Sequence, residues 1–568
     1  MVNQQLCYMR WDSQNIAFTV TKSNEEETVR INGTPYFVEH VPKSPCISFD
    51  FTALQIKDDH HIRIKTENRS FVIEKVEFYN RLEDIRPNAF STSQHAIRIS
   101  NVSEYITAVD YYRYVSLIKH LETVLKHSKM TSEEQEFYLE ELKNELDNTY
   151  NCSFDTITDV VRSSFDKLNS LFVSLSLKDD IKKEVERAIS TYENGGSFCY
   201  YRGVGRVYFP ESPGIFRMDH PHEEARWYRL MKTNFHKELD DLHYLDRLAM
   251  MQHYDLPTRL LDVTSNPLVA LYMSVNKIYN ESDKFQQDYG EVIVYFDERT
   301  DTKSYDSSSV LIIAALAKLN YQEKTTMLNF IEEVNLVHSD IDLEKWHRLV
   351  NFCIHRSADN IDWDYRFSEA EKTMMKESLA DFGIEQDACF SKPIDVLNML
   401  VSKKATLKTD HAEDTRTDDS HKELETESIA SLYDRFIQAY AHLLTTIRRE
   451  NPAFTNHIDV FMLTKAFHVR VGMTNDRMRV QNGSFIICGL DKDYINRSMC
   501  SSRSSNVRRA FIIDKRKVYR QLNALAINDM TMFPDMTHQA KYLKDQRYYL
   551  MLHERILLCL ILIDCFYV

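Results

Sequence analysis

Tyr254-Asp255-Leu256-Pro257-Thr258-Arg259-Leu260-Leu261-Asp262-Val263-Thr264-Ser265-Asn266-Pro267-Leu268-Val269-Ala270-Leu271-Tyr272 is the stretch that decides how this chain is built. A proline turn at Pro257 leads into a short strand, and the strand ends in the polar run Thr264-Ser265-Asn266. An apolar helix comes directly after it. Pro267 falls where the first helical turn tolerates a missing amide, and Thr264, Ser265 or Asn266 can cap the free N–H groups. Such strand-to-helix corners collect functional groups, because the unpaired amides of the helix start favour an anion.

Composition sets the frame around that corner. A length of 568 residues predicts two to four domains with a sizeable core. A hydrophobic fraction of 43% and an aromatic fraction of 11% describe a folded protein rather than a disordered one. With 11 glycines and 12 prolines, long flexible linkers should be few. The net charge of -15 argues against a broad nucleic-acid footprint. The 10 cysteines are scattered, with none in a CxxC pair, which argues against structural zinc and a disulfide framework. Met1 to Asp12 lacks the charged-then-apolar pattern of a signal segment. The apolar run Ile556 to Ile563 is far shorter than the ~20 residues a spanning helix needs. The expectation is a cytoplasmic protein with no membrane contact.

The fold class expected is α+β. Residues 1–98 are β-rich: Ile16, Phe18 and Val20 alternate, as do Ile62 and Ile64, and Phe71 and Ile73. Asn32-Gly33 between Val29-Arg30-Ile31 and Pro35-Tyr36-Phe37-Val38 signals a hairpin. This region is expected to be a small antiparallel domain used for packing or partner recognition. Residues 99–194 form a helical connector, with Tyr105, Val109, Tyr112, Val115, Ile118 and Leu121 at helical spacing. Thr131-Ser132-Glu133-Glu134 is a capping-type start, and a further amphipathic stretch runs from Phe154 to Ile189. The connector is a candidate lever or dimer surface, with ordinary packing the simpler role.

Residues 195–545 are mixed α/β. Ser197 to Tyr208 has the pattern of a strand interrupted by Arg202-Gly203-Val204-Gly205, and Gly290 to Phe296 is a clear strand. A helical insertion occupies about 305–460, with Val310 to Leu319 its most apolar part. Within it, 402–427 is so rich in charge and so poor in apolar residues that a solvated or disordered segment is expected. Strands return at Ala466 to Val471 and Ser484 to Cys488, and 546–568 is expected to be an apolar terminal helix.

A set of ordered motifs runs through this second half: Tyr201-Arg202-Gly203; Pro213-Gly214-Ile215-Phe216-Arg217; Gln252-His253-Tyr254 running on to Asn266-Pro267; Asn475-Asp476-Arg477-Met478-Arg479-Val480-Gln481-Asn482-Gly483-Ser484-Phe485; and Phe533-Pro534-Asp535. Together they resemble the FRG domain family, over roughly 195 to 545. Two residues depart from that family's pattern, Asp255 at a glycine position and Val263 at a tryptophan position. An Arg-Gly strand followed by a hydroxyl-ended strand and a helix is in turn similar to the ADP-ribosyltransferase superfamily. That resemblance implies an ADP-ribosyltransferase-like core with NAD as substrate. Arg202 would hold the phosphates, a role suited to a planar fork, and Gly203 would let the backbone approach the ligand. Thr264 and Ser265 would shape the nicotinamide pocket.

Gln481 stands where the superfamily has a glutamate, and an amide cannot stabilise an oxocarbenium ion as a carboxylate does. Asp262 and Glu291 are the carboxylates available instead, although spacing favours neither. The catalytic candidates are thus Arg202, Thr264, Ser265, Gln481 and His253, with Gly203, Arg217, Gln252, Arg259, Asp262, Asn266 and Arg477 as binding candidates. The implied function is an NAD-utilising ADP-ribosyltransferase or NAD glycohydrolase-like effector, in a toxin or antiphage-defence setting. Its rival is a non-catalytic module binding a nucleotide or a protein, docked through the β domain or the connector. The enzyme requires Arg202, Thr264 and Gln481 to converge in one cleft.

Simpler roles stand beside these. Arg202 can pin a turn, Arg259 and Asp262 can each be half of a buried ion pair, and Asn266-Pro267 can be no more than a helix start. His220-Pro221-His222-Glu223-Glu224 has metal-ligand residue types, but its place at a helix start explains the acids, and no metal is expected. Arg503, Arg508, Arg509, Lys515, Arg516 and Lys517 are most simply a solvated basic face.

Overall fold

The computed structural model describes the backbone of seven strands within residues 3–74 and, with breaks, residues 96–544. The main breaks are 150–154, 174–178, 206–210, 218–220, 277–288, 297–301, 336–341, 361–366, 385–391, 410–428, 471–475 and 496–506. The expected terminal helix, most of the charged segment and the second arm of the Asn32-Gly33 hairpin lie outside the described residues.

In the first segment β1 (Asn3–Trp11), β2 (Gln14–Lys22), β3 (Glu27–Ile31) and β4 (Ile47–Ser48) pair antiparallel in that order. A second antiparallel group is β5 (Ala53–Asp58), β6 (His61–Lys65) and β7 (Ser70–Glu74). The alternating residues of the sequence fall in β2, β6 and β7. The next strand, β8 (Ala96–Ile99), leaves this region altogether and pairs with a strand near the other end of the chain.

Four helices come after β8: α1 (Val102–Lys126), α2 (Ser132–Asp147), α3 (Ile157–Val173) and α4 (Asp179–Glu193). All six of the periodic residues of α1, from Tyr105 to Leu121, are buried. Thr131 caps α2 reciprocally: its Oγ1 accepts from the Glu134 amide at 3.3 Å, and its own amide donates to Glu134 at 3.1 Å. After β9 (Cys199–Val204) come α5 (Glu224–Asn234), α6 (Tyr244–His253), β10 (Leu260–Thr264), α7 (Pro267–Val275), β11 (Gly290–Phe296) and β12 (Thr302–Ser304). The helical insertion holds α8 (Ser308–Ala315), α9 (Tyr321–Val334), α10 (Leu343–Asn360), α11 (Glu369–Ala380), α12 (Pro393–Thr409) and α13 (Ile429–Glu450). The chain closes with β13 (Ala466–Arg470), α14 (Asp476–Val480), β14 (Gly483–Cys488), β15 (Val507–Ile512) and α15 (Lys515–Ala524).

The organising element is one mixed sheet of eight strands in the order β12-β13-β14-β10-β9-β11-β15-β8. Its two outermost pairings, β12 with β13 and β15 with β8, are parallel, and the inner ones are antiparallel. The protein is therefore α+β, mostly helical, around a single large sheet.

The two faces of the sheet differ. One presents Tyr201, Val292, Val294, Ala510 and Ile512, which share a core with α1, α7 and α15. Towards β13 and β14 the helical insertion takes over, and Phe467, Val469, Phe485 and Ile487 join a core that includes Phe330, Trp346 and Tyr440. The other face carries Tyr200, Leu261, Val263, Ile293, Tyr295, Ala466, Ile486 and Val507. His468 of β13 stacks on Tyr200 of β9 with ring centroids 4.7 Å apart. Two strands lie between those two, which in a flat sheet separates them by about 14 Å. The sheet must curl for the rings to meet, so this second face is concave.

β9 runs unbroken through Arg202-Gly203, where the sequence suggests an interruption. Gly203 serves packing instead of a turn. A Cβ at Gly203 would lie 1.8 Å from the Ala270 carbonyl oxygen, so α7 sits directly against the strand.

Candidate functional site

The strand-to-helix corner forms as its residues dictate. Asn266 is the cap: its Oδ1 accepts from the Leu268 amide at 2.9 Å and the Val269 amide at 3.4 Å, with Pro267 in the first turn. Asn266→Ala is expected to cost about 1 kcal/mol, read as a shift in the urea unfolding midpoint. Asp255 has φ of 62°, the left-handed conformation that a glycine provides without strain and aspartate tolerates.

Thr264, at the end of β10, donates its hydroxyl to the Gln481 carbonyl at 2.7 Å and accepts from the Asn266 amide at 2.9 Å. Gln481 spends its side-chain amide on the Met532 carbonyl at 2.9 Å. Ser265 is exposed, and its backbone N–H donates to Asn482 at 3.2 Å. Thr264 and Gln481 therefore meet, but both are committed to holding backbone together.

Two residues back along β10, Gln252 accepts from the Thr258 hydroxyl at 2.5 Å and donates to the exposed Asp262 carboxylate at 2.8 Å. Arg202 Nη1 donates to the Asp262 carbonyl at 2.8 Å. The side chains nevertheless part company. Tyr201 is the residue opposite Thr264, whereas Arg202 is opposite Ile293 and belongs to the concave face. Arg202, Thr264 and Gln481 adjoin through the backbone of β10 without sharing a cleft.

The remaining motif residues gather beside this corner. The Arg477 guanidinium lies over the Phe533 ring at 4.9 Å, and Phe533 stacks on His538 with centroids 4.7 Å apart. His253 is half-buried, and burial first, then the nearby Arg477 cation, holds its pKa below the ordinary value. Arg217 ends a helical turn, Gly214–Arg217, that docks through a bond from the Ile215 amide to the Thr258 carbonyl at 3.1 Å.

Arg259 is held in an interior ion cluster. Only 1% exposed, it grips Glu224 with Nε at 2.9 Å and Nη2 at 2.6 Å, and it donates Nη1 to the Cys488 carbonyl at 2.8 Å. Lys324 of α9 completes the cluster with a 2.6 Å contact to Glu224. Glu224 is thus an interior anion rather than an acid placed only for the helix start.

The concave face gathers Glu291, which the sequence offered as a substitute carboxylate, and Arg509 of the basic cluster with groups that sequence reasoning missed. Arg509 bridges Glu291, at 2.5 Å, and Glu211, and the Tyr295 hydroxyl donates to Glu211 at 3.3 Å. Glu291 is the diagonal neighbour of Arg202 across β9 and β11. His468 is 1% exposed and stacked on Tyr200 with Tyr295 at its edge, and neither ring nitrogen has a hydrogen-bond partner among the described residues. Arg202 likewise has no such partner for Nε. Unmade bonds of this kind cost about 1–3 kcal/mol each. Alternation within β9, β11 and β13 could have grouped these residues, but only with the strand register in hand.

The basic cluster is also not a solvated face. Arg508 and Lys515 are buried, the latter donating to the Gly205 carbonyl at 2.9 Å, while Arg516 and Lys517 are exposed and Arg503 lies outside the described residues. Among the described residues no three of His, Cys, Asp and Glu gather as a metal site, and no helix is long and apolar enough to cross a membrane.

No curated protein and no solved structure matches the chain. Residues 197–283, from the start of β9 through the corner to the residues just after α7, match the family model of the FRG domain, and the chain carries an FRG domain there.

Proposed function

We propose that the FRG domain binds a nucleotide, NAD being the first candidate, through Arg202. The observation that carries this is the state of that arginine. Its guanidinium is held by the Asp262 carbonyl, buried on the concave face, and keeps Nε unspent. A pre-oriented fork with a free donor suits a phosphate. The commitment of Thr264 and Gln481 to backbone groups favours binding over turnover, since neither is left to shape a nicotinamide pocket or support a ribose.

The enzyme, an ADP-ribosyltransferase or NAD glycohydrolase of the kind expected for a toxin or antiphage-defence effector, loses the cleft that Arg202, Thr264 and Gln481 were to form and keeps one observation in its favour. Glu291 lies on the same face as Arg202, two residues along β11 from its partner Ile293, and is a carboxylate, held by Arg509, of the sort Gln481 cannot replace. A protein partner, on either reading, would be met by residues 1–98 or by the outer faces of the connector helices.

Calorimetric titration with NAD, run beside a nicotinamide-release assay, tests both. Binding should be saturable, and Arg202→Ala should weaken it about 10- to 100-fold, the loss of one charge-assisted contact. Absence of nicotinamide release supports the binding module. Release that Glu291→Gln abolishes, with unfolding unchanged, establishes the enzyme. A parent protein that neither binds NAD nor releases nicotinamide defeats both readings.

A further inference from the structure

We propose that Lys318, Lys232 and Arg449, gathered where α5, α6 and α13 meet, form a site for a small anion carrying more than one charge, of the pyrophosphate kind. The site is separate from Arg202 and does not depend on the reading given to that residue.

Its frame is a fixed aromatic ring. Tyr244 opens α6, and its hydroxyl donates to the Thr446 carbonyl of α13 at 2.8 Å. Lys318 ends the short 3-10 turn Leu316–Lys318 that follows α8. Its half-buried ammonium donates to the Tyr244 oxygen at 3.0 Å and stands 4.7 Å from the ring centroid. The Arg247 guanidinium lies 5.3 Å from the same centroid, and Arg229 of α5 donates to the Lys318 carbonyl at 3.3 Å. Lys232 and Arg449 are the next charges out. Both act on the Lys318 ammonium and both reach solvent.

The charges do not balance. Asp240 is engaged by Lys232 at 3.2 Å, and Glu450 by Arg247 and His243, each at 3.3 Å. Asp246 stands near Glu450 and His243. His236, 3.7 Å from Asp240, adds no negative charge. Arg229, Lys232, Arg247, Lys318 and Arg449 therefore outnumber Asp240, Asp246 and Glu450, and among the described residues neither Lys318 nor Arg449 has a carboxylate within ion-pair distance. Lys318 feels the imbalance directly. Burial first, then Lys232, Arg449 and Arg247, hold its pKa down at about 8, and Glu450 opposes them more weakly than any of the three.

A solvent-reaching ammonium is thus kept in a positive potential, with Tyr244 using one of its three donors. A compact oxyanion supplies what is missing: its oxygens can meet the point charges of two lysines and the planar fork of Arg449. A long polyanion fits badly, because Glu238, Asp240 and Asp241 are exposed on the connection from α5 to α6 and the whole chain carries a net charge of -15.

Calorimetric titration of the full chain with metal-free pyrophosphate, at constant ionic strength, tests the site. Binding should be saturable in the parent and in Arg202→Ala. Adding Lys318→Met to Arg202→Ala should weaken it about 10-fold or more with unfolding unchanged. Binding that Arg202→Ala alone abolishes belongs to the FRG site and overturns this inference, as does uptake that never saturates. If Lys318→Met does not fold, exposed Arg449 decides: Arg449→Gln should weaken binding about 3-fold or more, and unchanged affinity refutes the cluster. The pH profile supplies a readout that a merely structural lysine would not move. Relative to Lys318→Arg, the parent should lose affinity as pH rises above about 8, because its ammonium discharges there and a guanidinium does not. A constant ratio of the two affinities removes Lys318 from the site. An RNA oligonucleotide that binds more tightly than pyrophosphate, and through Lys318, overturns the assignment to a small anion.

Discussion

Glu224→Ala is expected to destabilise the protein by about 3–5 kcal/mol, the cost of breaking a buried ion cluster by deleting its anion. Arg259 and Lys324 would then sit in the interior facing one another, with no carboxylate between them. The pH dependence gives a second signature. Burial works to raise the Glu224 pKa, but the charges and hydrogen bonds of Arg259 and Lys324 outweigh it and hold the value at about 2, against an ordinary 4.5. A folded pKa below the unfolded one stabilises at pH values above the unfolded pKa, and that stability is lost as pH falls through the folded pKa. The contribution is about 3 kcal/mol, present above roughly pH 5 and gone near pH 2. Urea unfolding of parent and Glu224→Gln as a function of pH should show two curves that converge on acidification. Parallel curves would refute the cluster. Lys324→Met should cost less than Glu224→Ala. Burial holds the Lys324 ammonium below its ordinary pKa even with Glu224 beside it, and the Arg259 fork still satisfies the carboxylate when the lysine is gone.

Gly203→Ala should be the most damaging single-methyl change in the FRG domain. The added Cβ would stand 1.8 Å from the Ala270 carbonyl oxygen and 2.9 Å from the Ser274 amide nitrogen, and neither backbone atom can swing aside as a side chain would. α7 would have to lift from the sheet, carrying buried Val269, Ala270, Leu271 and Tyr272 with it. Ordinary overpacking costs about 1–3 kcal/mol, and this displacement should exceed that range. Melting followed by circular dichroism should show a large fall in midpoint or the loss of a cooperative transition. A Gly203→Ala protein as stable as the parent would contradict the packing of α7 on β9. Gly290, facing the Ser274 carbonyl oxygen at 2.3 Å, should behave in the same way.

The features legible in the sequence were local. Asn266-Pro267 capping α7, the Thr131 cap of α2 and the left-handed Asp255 all arise from the chemistry of one or two residues and their immediate neighbours. The hidden features were relational. Nothing near Arg259 announces Lys324, and nothing near Ala96 announces that β8 would pair with β15 instead of the β region before it. The glycine after Arg202 suggested a break in the strand, because a close helix approach and a turn demand the same residue. Most consequential for the site, Arg202 and Thr264 seemed to belong together because the ADP-ribosyltransferase resemblance assigns both to one nucleotide pocket. Period-two alternation places them on opposite faces once the Tyr201–Thr264 register is known.

The strand order also governs how the chain can be made. β8 ends at Ile99 and β15 begins at Val507, so at 5–20 residues per second the first partner waits roughly twenty to eighty seconds on the ribosome for the second. β9 and β10 meet at a single residue pair and draw their remaining neighbours from β11 and β14, so the outer edge of β10 stays open until the whole helical insertion has emerged. A fragment trimmed to residues 197–283 would keep those two strands and lose every other one in the sheet. Such a piece would expose unpaired edges, the condition that drives aggregation. The segment that carries the family signature therefore holds two of the sheet's eight strands, and the neighbours that complete their pairing are made later.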